Sequence, residues 1–354
     1  MSDKPKIKLS GTSYEIGFEH GRLLASQILD QLEIYRDIFQ QSCKFDWTEV
    51  RKIASEYEAT IAKLVPHIFE EIKGIADGVN AATQTSHGNG SQNGNANGES
   101  GHGSIDVLDI VALNSRSEIA LGKWDDGCTS LAWRIEGAGN SKKQFLAQNW
   151  DWRASVGKNL AMASIYQEGK PDIIMVIEPG IVGKIGFNSA SVGVCLNAIR
   201  ARPISTSLLP IHIILRLCLE ATSIKSAIET IERFGGSGSS QHILIADASS
   251  EFGSRGLELS PLGSVYLKPD SEGILVHSNH FLENKFVEEP PWLSGSPIRL
   301  ERIRKLSEHL VEEVGSNGIN PTILRQRIFS DEHNSPQAIC CSPDLNKDYA
   351  NDRI

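Results

Sequence analysis

The sequence predicts an α+β fold, and three observations point there. Apolar residues recur at helical spacing through the first third of the chain. Short β-branched runs separated by turns take over from Thr129 onward. Helices fall in groups between runs of strands instead of alternating with them, the pattern of α+β rather than βαβ architecture. A chain of 354 residues suits one large domain or two ordinary ones and can bury a substantial core.

Taken in order, Tyr14, Ile16, Leu23, Leu24, Ile28, Leu32, Tyr35, Ile38 and Phe39 recur at spacings near three and four, which gives one apolar helical face. A second helix is predicted over Trp47–Leu64 and a third over Phe69–Val79. Residues 83–104 are dominated by Gly, Asn, Ser, His and Gln. That composition reads as a flexible surface insertion, too polar to offset its ordering entropy, with His87 and His102 as solvated residues rather than metal ligands. Val107–Leu121 is again helical. Strands are expected at Gln144–Trp150, Ile173–Ile177, Gly183–Phe187, Gly193–Asn197, His242–Ala246 and Ile274–His277. Helices interrupt or follow them at Leu208–Ala221, Ile224–Phe234 and Pro297–Val314. Gly235–Ser240 lacks the Lys-Ser/Thr ending of a phosphate loop and follows a helix, so it reads as a turn.

Composition narrows the function classes. Lys and Arg number 35 against 44 Asp and Glu, a net charge of −9 that argues against non-specific nucleic-acid or anionic-membrane binding. The longest apolar runs, such as Ile211–Leu219, are too short to span a bilayer and contain His212 and Arg216. The polar start Met1–Lys8 shows no signal-peptide pattern, and Asp352-Arg353-Ile354 is not a peroxisomal ending. Cytosol is therefore the expected location. The six cysteines, at 43, 128, 195, 218, 340 and 341, have neither zinc-ligand spacing nor disulfide-framework density, so no metal is expected.

The most informative segment is Asp125–Trp133. Gly127 lacks a Cβ and leaves its carbonyl open to attack by the thiol of Cys128. The peptide bond would shift to a thioester that water hydrolyses, leaving Cys128 with a free α-amine. An α-amine titrates near ~7.7–8.0 and a thiol near ~8.5, so the amine can take the thiol proton at neutral pH. Gly-Cys alone also describes a buried structural cysteine at a strand start. In Ala147–Trp152, strand alternation puts Asn149 and Asp151 on one face, where a carboxylate could hold the new amine; a polar strand end is the bland alternative. In Val276–His280, an Asn279 amide could donate to a developing oxyanion, against a merely satisfied strand end.

These segments in order resemble the acyl-coenzyme A:isopenicillin N acyltransferases (penicillin acyltransferases) of the N-terminal-nucleophile hydrolase superfamily. The matching stretches are Gly11–Gly21, Glu71–Gly78, Leu113–Glu118, Asp126–Thr129, Gln148–Asp151, Gly180–Ser189 and Val276–His280. They span nearly the whole chain apart from 83–104. The resemblance implies a four-layer αββα sandwich made from one precursor cut into residues 1–127 and 128–354, which stay together as an αβ heterodimer. It implies Cys128 as nucleophile and, through its amine, base, with Asp151 orienting that amine. Asn279 would be the oxyanion donor, and Ser130, with Thr129, the supporting hydroxyls. The implied reaction exchanges the side chain of isopenicillin N, with acyl-coenzyme A as co-substrate, a β-lactam amine as acceptor and no bound cofactor. Two departures stand out. The family carries Arg where this chain has Cys341, and further sheet strands where 344–354 is polar.

Two rivals follow. One keeps the fold and cysteine but hydrolyses another amide; the other is an inert paralogue with a binding role. A papain-like protease lacks its local cysteine signature here and needs no cleavage before Cys128.

Overall fold

The computed structural model describes residues 4–87, 104–120, 127–136, 142–251, 253–290 and 295–341. Helices α1 (Ser13–Leu23), α2 (Ala25–Cys43), α3 (Trp47–Leu64), α4 (Pro66–His87), α5 (Val107–Asn114) and α6 (Arg116–Ile119) follow a first strand, β1 (Lys6–Ser10). Strands β2 (Gly127–Glu136) and β3 (Lys142–Asp151) come next, then α7 (Ala154–Asn159), β4 (Ala161–Tyr166), β5 (Ile173–Ile177), β6 (Gly186–Asn188) and β7 (Val192–Ala198). The chain continues through α8 (Ile211–Glu220), α9 (Ile224–Arg233), β8 (Gln241–Asp247), β9 (Ser254–Ser260), β10 (Gly263–Leu267) and β11 (Ile274–His277). It closes with α10 (Ser296–Gly318), α11 (Pro321–Leu324) and a π-helical turn at Arg325–Phe329.

The strands form two sheets. The larger runs β1-β4-β5-β6-β7-β8-β9-β10 and the smaller β11-β2-β3. Three apolar clusters show how they stack. Helices α1–α6, α8 and α9 pack on one face of the large sheet through Ile16, Tyr35, Ile68, Ile214, Met175 and Val194. The other face of that sheet meets the small sheet through Cys195, Leu244, Ala132 and Leu275. The small sheet's far face, Leu131, Trp133 and Val276, packs on α10 and the turn after α11 through Leu300, Ile303 and Ile328. The order is helices, sheet, sheet, helices: the αββα sandwich. Strand β2 lies between two layers, which is why it is buried on both faces through Trp133.

The Gly11–Gly21 and Glu71–Gly78 motifs serve packing. Helices α1 and α4 approach so closely that a Cβ at Gly17 would lie 1.9 Å from the Glu71 carbonyl oxygen, and one at Gly78 would lie 2.0 Å from that of Phe18. No side chain fits at either position.

Several boundaries differ from the sequence expectation, among them the helix expected over Val107–Leu121, which breaks at Ser115 into α5 and α6. The first helical stretch breaks at Leu24, whose backbone leaves helical angles, although the apolar spacing runs through it. Helix α4 continues to His87, into the segment read as loop from residue 83. There Thr83 Oγ1 donates to the carbonyls of Val79 and Asn80, so its hydroxyl is satisfied within the helix. Asn80 clasps Ile105 through both its amide ends, at 2.8 and 3.1 Å, and so ties the two sides of the insertion together. The rest of that insertion (88–103), including His102, and the segments 121–126 and 342–354 lie outside the described residues.

Buried histidines make stability pH-dependent. His20 is buried, accepts the Gly180 N–H at 3.1 Å, and has its pKa pushed down to about 4 by burial and the nearby Arg216 charge. The unfolded chain binds that proton near ~6.5, so between there and about 4 the unfolded state holds more protons and stability falls as pH falls. The advantage of wild type over His20→Gln in chemical denaturation is therefore expected to shrink by up to about 1.4 kcal/mol per pH unit across that window. A constant difference would refute this.

Candidate active site

The site forms where the β2–β3 ladder ends. Gly127 pairs with Asp151 and Cys128 with Trp150. Alternation along β2 then sorts the side chains. Leu131, Trp133 and Ile135 point to α10, so Thr129 does too. Cys128, Ser130 and Ala132 point between the sheets, and Ser130 Oγ donates to Asn197 Oδ1 of β7 at 2.7 Å. Cys128 is 2% exposed and lines a small cavity with Arg116, Trp150, Trp152, Lys184 and Ala198. Its free space, ≈ 10 Å³, is about the room one water needs.

The main chain of Cys128 is held on both sides. Its N–H donates to Asn279 Oδ1 at 2.8 Å. Arg299 Nη1 donates to its carbonyl at 2.6 Å and to Thr129 Oγ1 at 2.8 Å, while Nη2 reaches Asn279 Oδ1 at 2.7 Å. Two donors converge on Oδ1, so the amide nitrogen must face the other way, where Nδ2 donates to the Ala198 carbonyl at 3.0 Å. Ala198 belongs to the cavity wall, and the second Nδ2 hydrogen has no partner among the described residues. Ser296, the first residue of α10, fixes this loop: its Oγ accepts the Asn279 N–H at 2.8 Å, and its carbonyl accepts Ser278 Oγ at 2.9 Å.

Asp151 lies against Gly127. A Cβ built on Gly127 would come within 3.2 Å of Asp151 Oδ2 and 3.0 Å of Cys341 Sγ, which puts the carboxylate and the position of the expected family Arg beside the Gly127–Cys128 bond. Asn149, on the same strand face, is committed to structure: its Nδ2 donates to the carbonyls of Phe329 and Ile339, both at 2.8 Å. Thr129 is held on the α10 side by Arg299, away from the cavity that Cys128 faces.

Behind the cavity stands a buried ionic cluster. Glu178 Oε1 takes Arg116 Nη2 at 2.6 Å and Lys184 Nζ at 2.8 Å; Oε2 takes the Tyr35 hydroxyl at 2.6 Å. Burial alone would raise the Glu178 carboxyl, but the charges of Arg116 and Lys184 overcome it and hold the group well below the usual carboxylate range. Between the sheets, His277 Nε2 pairs with Glu258 at 3.0 Å and its ring stacks on His242 at 3.4 Å between centroids. His277 thus braces the sheets. Among the described residues no group of three or more His, Cys, Asp or Glu has the arrangement of a metal site.

The sequence-predicted Cys128, Asp151 and Asn279 therefore converge on one peptide unit. Arg299, Lys184, Arg116 and Glu178 received no role from sequence. The one available signal for Arg299 is that it occupies the buried stripe of α10, with Ser296, Leu300, Ile303, Ser307 and Leu310.

The family model for acyl-coenzyme A:6-aminopenicillanic acid acyl-transferase matches residues 138–351. The acyl-coenzyme A:6-aminopenicillanic-acid-acyltransferase 40 kDa form of Emericella nidulans is 31% identical over 336 residues, 94% of this chain and 84% of that protein. Among solved structures, a penicillin V acylase from Agrobacterium tumefaciens is 10% identical, with a TM-score of 0.27 over 56% of this chain and 53% of that one. A single-substitution variant of conjugated bile acid hydrolase from Clostridium perfringens is 10% identical, with a TM-score of 0.32 over 58% of this chain and 70% of that one. No helix among the described residues is long and apolar enough to cross a membrane.

Proposed function

The chain belongs to the acyl-coenzyme A:6-aminopenicillanic acid acyl-transferase family, and we propose that it is a self-processing cysteine acyltransferase acting through a Cys128 thioester. The observation that carries this reading is the grip on Cys128. Its amide nitrogen is bound by Asn279 and its carbonyl by Arg299, while its thiol lines the cavity. In processing, the thiol attacks the Gly127 carbonyl carbon, the C–N bond breaks, and the Cys128 nitrogen takes up a proton as an α-amine. Water then hydrolyses the thioester, leaving a carboxyl on Gly127 and the thiol on Cys128. The acceptor that holds the amide N–H before cleavage, Asn279 Oδ1, is in place to hold the amine after it. Asp151, already against Gly127, steadies that amine from the other side. One apolar core includes residues from both sides of the break, so segments 1–127 and 128–354 stay together as an αβ heterodimer.

In turnover the α-amine takes the thiol proton, the thiolate attacks the thioester carbonyl of an acyl-coenzyme A, and the coenzyme leaves as its thiol. The amine of a β-lactam nucleus then attacks the Cys128 thioester, forms the amide and regenerates the thiol. The second Asn279 N–H, beside Ala198 at the cavity wall, is the donor for the oxyanion of each step. No bound cofactor takes part. Opening of the chain at Gly127 enlarges a space that in the continuous chain holds about one water, and so admits substrate.

The test is an assay of purified protein with phenylacetyl-coenzyme A and 6-aminopenicillanic acid, alongside a panel of simple amides. Penicillin formation that needs both substrates is the expected result. Hydrolysis of amides with no use of coenzyme A esters would instead establish the amidohydrolase alternative. No turnover of either kind would point to an inert binding paralogue, with Cys341 beside Gly127 as the first residue to revert.

A further inference from the structure

Lys184 is a buried cation with too little to hold. It is 2% exposed, and its ammonium shares Glu178 Oε1 with Arg116. Glu178 does not need it, because Arg116, Tyr35 and Gln31 already donate to its two oxygens. An ammonium carries three N–H donors, and among the described residues Lys184 places one of them, on Glu178. The ammonium also lies over the face of Trp150, 4.0 Å from Nζ to the ring centroid, and Trp150 is the cross-strand partner of Cys128. Burying an ammonium on half a counter-ion is costly unless another anion stands opposite.

The cavity identifies that anion. Lys184 and Cys128 line the same space, which holds about one water and no substrate-sized carboxylate or phosphate. The counter-charge must then come from the protein groups around the ammonium and the cavity. Tyr35 from α2 is pushed well above its ordinary pKa by burial and stays neutral, and burial pushes His212 from α8 down so that it stays neutral too. Arg116 from α6 is a cation, and Glu178 is already shared. What remains is the thiol of Cys128 on β2.

We propose that the Lys184 ammonium is the built-in counter-charge of the Cys128 thiolate, a positioning residue that keeps the nucleophile ionised near neutral pH. Burial and the neighbouring Arg116 charge lower the Lys184 pKa, against which Glu178 and, most weakly, the Cys128 charge push it up, so an ammonium here and a thiolate at Cys128 favour each other. The inference rests on Cys128 as the nucleophile and adds where its negative charge is held.

The experiment follows alkylation of Cys128 by iodoacetamide against pH, read by the mass of the peptide bearing residue 128 so that cut and uncut chains are compared separately. Wild type is expected to have a midpoint clearly below the ~8.5 of an ordinary thiol. Lys184→Met should raise that midpoint by about one unit or more, a roughly tenfold loss of alkylation rate near neutral pH with little change in strong alkali. Lys184→Arg should keep the midpoint, and Glu178→Gln, which frees positive charge, should lower it. A wild-type midpoint at or above ~8.5 overturns the proposal without any variant, as does a folded Lys184→Met with the wild-type midpoint. Self-cleavage with an unmoved midpoint would sink this inference alone. An uncut, inert chain would remove the nucleophile reading and this inference with it.

Discussion

Cys128→Ala is expected to leave the chain uncut and acyl transfer at background, at almost no cost in stability. The separation of the two effects is what makes the result informative. Removing one buried sulfur from a small cavity costs about 1 kcal/mol, since the hole is minor and the strand keeps its ladder. Processing and turnover, in contrast, both need an atom at that position that can attack a carbonyl. With no thiol there is no thioester, no free α-amine and hence no base. Activity is expected to fall by at least about 10⁴-fold, since nucleophile and base vanish together. Thermal melting run beside a turnover assay checks both halves. A melting temperature near wild type with activity retained would exclude Cys128 as nucleophile.

Arg299→Met is expected to slow self-cleavage by on the order of 10²-fold, the loss that a small misplacement of a reacting group can cause, because Arg299 holds the Cys128 carbonyl and Asn279 rather than the Gly127 carbonyl under attack. The guanidinium is 2% exposed and donates to Cys128 O, Thr129 Oγ1 and Asn279 Oδ1. Without it, the first two acceptors lose that donor in a buried site, at about 1–3 kcal/mol each, and Asn279 Oδ1 keeps only the amide it must position. Lys at this place offers a point charge without the planar fork, so Arg299→Lys should recover part of the rate and little of the stability. A time course of precursor loss after refolding measures the effect. Wild-type cleavage kinetics in Arg299→Met would show that the grip on Cys128 is structural and does not serve the reaction.

The same contrast between local and distant information explains what could be read from the residues. Helix Trp47–Leu64 was predictable to its ends because Asp46 and Glu49 form a capping box in front of a regular apolar stripe. Strands Ile173–Ile177 and Ile274–His277 declare themselves by β-branched runs between turns. Strand β1 was not read, since Lys6 and Lys8 mask the alternation of Ile7 and Leu9, and it is settled by parallel pairing with a strand more than a hundred residues away. Strand β9 carries Arg255, Gly256 and Glu258, poor strand residues on local grounds; Glu258 is accommodated because His277 and the backbone N–H groups of Leu282, Glu283 and Asn284 converge on it.

At the site, Cys128, Asp151 and Asn279 stand out because each sits in a short motif whose chemistry is local. Arg299, Lys184 and Glu178 do not, because a charged residue on an apolar face looks like a boundary error until the fold supplies its partner. Arg299 finds its partners on β2 and in the loop after β11, and Lys184 finds Trp150 on β3. Tertiary contact, not spacing, gives these residues their roles.

The most direct measurement is intact mass under denaturing conditions, for wild type and Cys128→Ala purified in parallel. Two wild-type fragments, one ending at Gly127 and one beginning at Cys128, with only full-length mutant, are the result this account predicts. A full-length wild-type chain that still turns over substrate, or a mutant cut at the same bond, would contradict it.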